Sequence, residues 1–231
     1  MKKIVITGSQ GCIGSIIQGG LSHHELCLVD IKKERDEKQF VIDIANNYHQ
    51  LVKVFKGKDA IIHLAWNFFE DFPKETIDHN NKKMAENVYS AAVSAGVKRV
   101  IIASSVHAND YSSVNSIQDF DSPSPVPDSP YGASKVYIEA LGKYYANYHG
   151  LEVVCVRFGG VNIHDVPIFE EDANYDKVLL YKQDCIDLIG MCISETHVPG
   201  NFQVFTAVSN NKDRVHQIDN FLNWQPNYPR T

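Results

Sequence analysis

Short apolar runs punctuate the chain at Ile4–Ile6, Leu26–Val29, Phe40–Ile44, Ala60–Ala65, Val100–Ala103, Val153–Val156 and Phe202–Phe205. Most are continuous rather than alternating, the pattern of strands buried on both faces of a parallel sheet. Stretches of helix length separate them. Asn80–Ala95 is rich in Ala, Met, Glu and Lys and stops at Gly96. Tyr131–Tyr148 opens behind Ser129-Pro130, an N-cap followed by a first-turn proline, and ends near Gly150. Asp184–Ser194 is a third such segment. Strands alternating with helices through right-handed crossovers predict an α/β fold, a doubly wound parallel sheet of about seven strands. Two stretches break the pattern: residues 111–130, dense in Ser, Pro and Asp, and Gly159 to Asp176. Both follow strand ends, where ligands bind in open α/β sheets.

The first run leads straight into Thr7-Gly8-Ser9-Gln10-Gly11-Cys12-Ile13-Gly14. Glycines at i, i+3 and i+6 serve a tight strand-to-helix turn, a close backbone approach to a pyrophosphate, and close packing of helix on strand. The free N–H groups of the helix start then face the phosphates. An ordinary glycine-rich turn is the plainer reading, and the position directly after the first strand argues against it. Asp30 ends the second run, where a carboxylate accepts from both ribose hydroxyls and repels a 2′-phosphate, so NAD is expected over NADP. Lys32 and Lys33 keep NADP as the lesser expectation, and a solvated turn residue is the other reading of Asp30. Asp43 and Ile44 end the third run; there a carboxylate suits the adenine amino group and Ile44 the ring face, with a plain turn carboxylate equally open. On this basis residues 1–158 read as a dinucleotide-binding Rossmann core. Residues 159–231 read as a small substrate-binding portion, with 201–206 returning to the sheet.

Tyr131-Gly132-Ala133-Ser134-Lys135 opens the long helix. Spacing i, i+4 sets the phenol and the ammonium on one face, one turn apart. A free phenol titrates near pH 10, and an adjacent ammonium favours its ionised form. Such a pair suits proton removal from an alcohol during hydride transfer. Tyr-x-x-x-Lys alone is common on surface helices. It gains weight from the glycine loop and from Ser104-Ser105 at a strand end, where the Ser105 hydroxyl suits the reacting oxygen.

These residues resemble one family, the extended short-chain dehydrogenase/reductases, also called the NAD-dependent epimerase/dehydratase group. The resemblance runs over nearly the whole chain and rests on Gly8/Gly11/Gly14, Asp30, Asp43-Ile44, His63-Leu64-Ala65, Asn81 with Asn87, Ala95 to Val100, Ser104-Ser105, Tyr131 to Lys135, and Val156-Arg157. It implies Ser105, Tyr131 and Lys135 as the catalytic triad, with Asn81 supporting the lysine through water. It also implies cofactor contacts at Cys12, Ile13, Leu64, Ala65 and Phe158. Within the group, Ala103 to His107, Arg157 to Gly160 and Phe221 to Pro226 are similar to uronate dehydrogenases and related small sugar dehydrogenases. Departures from that pattern are Val106 in place of an asparagine, Ala65-Trp66 in place of two glycines, and no arginine near Asn174 to Lys177. Lys177 offers only a point charge there.

Composition narrows the substrate. The 231 residues are 44% apolar and 22% charged, with a net charge of −6. That suffices for one sizeable core and excludes a disordered chain. A mildly acidic balance argues against nucleic acid as partner. No run approaches the length of a membrane span, the start lacks a signal h-region, and a cytoplasmic protein is expected. The five cysteines show no C-x-x-C pair and no His spacing suits a metal, so neither disulfides nor a catalytic metal is expected. After Arg157 only Arg214 and Arg230 remain to clamp phosphates, which points to a small, unactivated sugar, sugar acid or similar hydroxy/carbonyl compound. Trp66, Asn67, His107 and Lys177 are its expected neighbours. Trp66 reads equally as closing the core, and His107 as a loop histidine satisfied by backbone. Asp110 and Glu139 read as a turn residue and a solvated helix residue. The alternatives to a dehydrogenase are an NAD-retaining epimerase or dehydratase and a non-catalytic NAD(P)-binding regulator. A homodimer through the Asn80–Ala95 and Tyr131–Tyr148 helices is what the resemblance implies.

Overall fold

The computed structural model describes residues 1–32, 39–67, 76–109, 125–167, 174–214 and 216–229. Its strands are β1 (Lys3–Thr7), β2 (Glu25–Asp30), β3 (Gln39–Val41), β4 (Ala60–His63), β5 (Arg99–Ser105), β6 (Glu152–Phe158) and β7 (Phe202–Ala207). They form one parallel sheet in the order β3-β2-β1-β4-β5-β6-β7. The helices are α1 (Cys12–Gly20), α2 (Tyr48–Phe55), α3 (His79–Ala95), α4 (Pro130–His149), α5 (Tyr175–Val178) and α6 (Lys182–Ser194). The strand order reverses between β1 and β4, so the crevice at their C-terminal ends is the place where a ligand binds in this architecture.

Both faces of the sheet are covered, which is why its strands read as unbroken apolar runs. Along β1, Ile4 and Ile6 join Ile17 of α1, Leu188 and Ile189 of α6, and Trp224 in one core. Val5, between them, turns the other way and joins Leu51 and Phe55 of α2, Val88 and Tyr89 of α3, and Ile138 of α4. The same alternation holds at Ile61 and Ile62. Because α6 and the Leu222–Trp224 segment pack into the first core, residues beyond 158 share it with β1 and α1.

The two helices that matter for the site are set by their ends. Asp78 caps α3 by accepting from the Asn80 N–H at 2.8 Å, and Gly96 closes it at φ 71°. Ser129 caps α4 by accepting from the Gly132 N–H at 3.0 Å, with Pro130 in the first turn and Gly150 closing it at φ 65°.

Some expectations need correction. The third strand stops at Val41, so Asp43 and Ile44 lie in the turn after it. The fourth stops at His63, leaving Leu64–Asn67 as a segment beyond its end. Glu139 is not solvated but buried. The short helix α2 carries too brief an apolar stripe to be marked by runs alone. Lys33, Asp110 and residues 111–124 of the polar stretch lie outside the described residues.

Candidate active site

The glycine turn divides its labour as the spacing predicts. Gly8 holds φ +70°, and a Cβ there would meet Ala65 N at 2.5 Å, so the turn after β1 lies tight on the segment after β4. A Cβ on Gly14 would meet Gly8 O at 2.3 Å and Ser9 O at 2.8 Å, which presses α1 onto the turn. A Cβ on Gly11 would meet only Gly8 O, at 3.2 Å, leaving that side of the backbone open. Gly11 is also the N-cap of α1 and gives it no side-chain cap, so the first N–H groups of α1, from Cys12 to Gly14, need an outside acceptor. Asp30, buried at the end of β2, accepts from the Gln10 N–H at 2.9 Å and the Lys32 N–H at 3.0 Å. It therefore ties the turn to β2, and each oxygen retains a lone pair for a ribose hydroxyl. An open backbone beside an uncapped helix start, with a carboxylate at the next strand end, fits the pyrophosphate and ribose of a dinucleotide.

Asp43 closes its own turn, accepting from the Ala45 N–H at 3.1 Å and Asn46 Nδ2 at 2.8 Å. Ile44 is buried in the α2–α4 core. The exposed Cys12 donates to Val161 O at 3.4 Å, and partial burial raises its thiol above the usual range, so it is no ready thiolate. The other four cysteines are buried and unpaired.

On the opposite side of the crevice, β5 presents three consecutive residues to three tasks. The Ala103 carbonyl accepts from Lys135 Nζ at 3.0 Å. The Ser104 hydroxyl donates to Glu139 Oε1 at 2.5 Å. The Ser105 hydroxyl accepts from the His107 N–H at 3.3 Å. Tyr131, Lys135 and Glu139 succeed one another at four-residue steps on the stripe of α4 that faces β5. Lys135 Nζ lies 5.4 Å from the centre of the Tyr131 ring and 3.6 Å from that of Trp66. His107 meets Tyr131 edge-on at 5.7 Å and binds Asp128 through Nδ1 at 3.0 Å. A carboxylate thus satisfies Nδ1 of that histidine.

Glu139 receives Arg157 from β6 as a bidentate pair, Nε to Oε1 at 2.8 Å and Nη2 to Oε2 at 2.7 Å. This buried triad locks α4 against β5 and β6 directly behind Ser105, where Ser104 and Arg157 are register partners. Residue-by-residue reading missed it, although the i+8 position relative to Tyr131 carried the signal.

Asn81 is fully buried and grips the backbone of Asn67 twice, accepting from its N–H at 2.7 Å and donating to its carbonyl at 3.2 Å. The asparagine thus anchors the segment that carries Trp66. Lys177, on α5, donates to Asn174 Oδ1 at 3.2 Å. Phe158 is buried at the end of β6, in register with Ser105. His63, at the end of β4, pairs with the Thr7 hydroxyl through Nδ1 at 2.7 Å. Burial, helped by the Lys135 charge, pushes its imidazole down to about 3. His63 is therefore neutral wherever the protein works.

The model of the NAD dependent epimerase/dehydratase family matches residues 4–161. The chain belongs to that family. It is an NAD-dependent enzyme of the extended short-chain dehydrogenase/reductase type. Among its relatives, an L-arabinose 1-dehydrogenase (NAD(P)(+)) of Haloferax volcanii is 32% identical over 174 residues, spanning 69% of this chain and 67% of that protein. A uronate dehydrogenase of Pseudomonas syringae pv. tomato is 36% identical over 167 residues, spanning 68% of this chain and 58% of that enzyme. Among solved structures, a glucuronic acid dehydrogenase from Chromohalobacter salexigens superposes with a TM-score of 0.80 at 26% identity, covering 97% of this chain and 84% of that one.

Proposed function

We propose that this chain oxidises a carbinol of a small sugar, sugar acid or similar hydroxy compound, or reduces the matching carbonyl, with Tyr131 as general base. The observation that carries this reading is the convergence of Tyr131, Lys135 and the Ser105 strand end at the C-terminal edge of the sheet. Bound NAD supplies the two-electron acceptor. Gly8, Gly11, Cys12, Ile13 and Gly14 would hold its pyrophosphate, Asp30 its adenosine ribose, Asp43 and Ile44 its adenine. Leu64, Ala65 and Phe158 would line its path to Tyr131 and Lys135. Asp30 disfavours a 2′-phosphate, which supports NAD over NADP.

Ser105 and Tyr131 would receive the substrate oxygen between their hydroxyls. Tyr131 takes its proton, and the Lys135 ammonium stabilises the resulting charge. Asn81 contributes through the Asn67 segment, holding the floor on which substrate rests. Trp66, Asn67, His107 and Lys177 would surround the rest of the substrate. The relatives' named substrates, L-arabinose, glucose 6-phosphate and uronate, support a sugar or sugar acid oxidised at one carbinol. The scarcity of arginine beyond Arg157 favours an unphosphorylated member of that class. In this reading residues 159–231 supply the substrate-binding portion.

Two further properties belong to the proposal. The outer surface of α4 exposes Tyr148 at 75% and Tyr144 at 48%, which suits a homodimer that includes this helix. Five unpaired cysteines suit the reducing cytoplasm, and among the described residues no helix is long and apolar enough to cross a membrane.

The test is absorbance at the NADH band with purified protein, NAD and a panel of aldoses, uronic acids and sugar phosphates. A dehydrogenase accumulates NADH with at least one free sugar or sugar acid. An enzyme that retains and recycles its cofactor yields product without NADH, and a regulator yields neither; each of these outcomes defeats the reading.

A further inference from the structure

Lys135 is 2% exposed, and burial of that degree favours the neutral amine. The charged form is the one the proposed chemistry needs. Among the described residues, the groups facing Lys135 include Tyr131 on α4, the Ala103 carbonyl on β5, neutral His63 on β4 and the Trp66 ring beyond β4. Around Tyr131 stand His107 and Asp128, paired with each other. Of these, the indole makes the closest ring contact, with Nζ 3.6 Å from its centre.

We propose that Trp66 is a positioning residue for Lys135, its indole face holding the ammonium charged and fixed between the ring and the Ala103 carbonyl. The indole is the best of the aromatic faces for a cation, and the attraction strengthens where water is excluded. The ring itself is held at both neighbours. Ala65 lies against the Gly8 turn, and the Asn67 backbone is gripped at its N–H and its carbonyl by buried Asn81. A path of contacts thus runs from Asn81 through Asn67 and Trp66 to Lys135. It gives Asn81 a route to the lysine through the chain itself.

The inference rests on the functional reading for its consequence but not for its test. Lysines labelled with ¹³C at Cε are titrated by NMR in the protein without cofactor, and Lys135→Met assigns the resonance. In the wild type the Lys135 Cε protons lie upfield, shielded by the indole face. Trp66→Leu removes that shielding and lowers the Lys135 titration midpoint by about 1 pH unit, while Trp66→Phe keeps part of both. In turnover, Trp66→Leu lowers kcat about tenfold, and Trp66→Phe recovers most of it. A midpoint and proton shift unmoved in Trp66→Leu, or a Trp66→Phe variant indistinguishable from Trp66→Leu, overturns the inference.

Where Trp66→Leu does not fold, Trp224→Phe leaves Trp66 as the single tryptophan. Adding Lys135→Met must then change the indole emission, and an unchanged emission overturns the inference equally. Failure of the functional reading is separate: it shows as absent turnover on every sugar, with the lysine titration intact.

Discussion

The ammonium of Lys135 on α4 donates to the carbonyl of Ala103 on β5 at 3.0 Å. This bond ties the candidate acid–base helix to the strand that ends in Ser105. Lys135→Met deletes the hydrogen bond and the charge together. Its kcat should fall about 10²- to 10³-fold, the scale of removing one preorganised electrostatic partner. Lys135→Arg should recover little, because a planar fork does not fit a pocket shaped for a point charge. Steady-state rates of both variants check this.

Gly14 is packed so closely on the turn that any side chain displaces backbone. Gly14→Ala is expected to destabilise the protein by about 1–3 kcal/mol and to weaken NAD binding more than tenfold. Gly11→Ala meets far less hindrance within the protein and should lower NAD affinity with little change in stability. Chemical unfolding and cofactor titration of the two variants separate packing from ligand approach.

Asp30 acts on cofactor choice and on loop position together. Asp30→Asn removes the charge and keeps one of the two accepted hydrogen bonds, because an amide has a single acceptor oxygen. The ratio of kcat/KM for NAD over NADP should drop at least about tenfold, since repulsion of a 2′-phosphate disappears. Equal ratios in variant and wild type would place discrimination elsewhere.

The Glu139–Arg157 pair is a buried support, not a solvated ornament. Arg157→Met leaves an uncompensated carboxylate and should cost about 3–5 kcal/mol of stability. The double variant Glu139→Gln, Arg157→Met should recover part of that loss, because no buried charge is left alone. Urea unfolding of the three proteins gives the comparison.

Two buried histidines give stability a pH signature. Burial pushes His63 down to about 3 and His216 to about 4, with Lys135 and Arg214 adding to the effect. In the unfolded chain each takes a proton near pH 6.5, while in the folded protein each stays neutral to far lower pH. Their contribution is complete above that value and declines as the pH falls, by about 1.4 kcal/mol per pH unit for each histidine. The decline runs down to their folded values. His216→Phe should show a shallower loss of stability between about pH 6 and pH 5 than the wild type, measured by urea midpoints.

How much of this was legible in the residues follows from the range of each interaction. The Gly8/Gly11/Gly14 turn and the Tyr131–Lys135 step are local, fixed by backbone geometry within two helical turns, and the sequence states them directly. Strand identities were equally legible, because burial on both faces leaves continuous apolar runs. What escaped depends on contacts between distant segments. Glu139 looks like any helix carboxylate until Arg157 arrives from β6. Trp66 reads as core or as substrate wall, and its contact with Lys135 shows only once α4 is packed against β5. The two hydrogen bonds of Asn81 to the Asn67 backbone likewise join segments 14 residues apart.

The most direct test of the central claim compares wild type and Tyr131→Phe on the same sugar substrate, measuring NAD affinity by titration and NADH formation by initial rate. Equal affinity with a rate lowered at least about 10²-fold is the predicted result, since the ring stays and only the proton acceptor is lost. Equal rates in the two proteins would contradict the assignment of Tyr131 as the base.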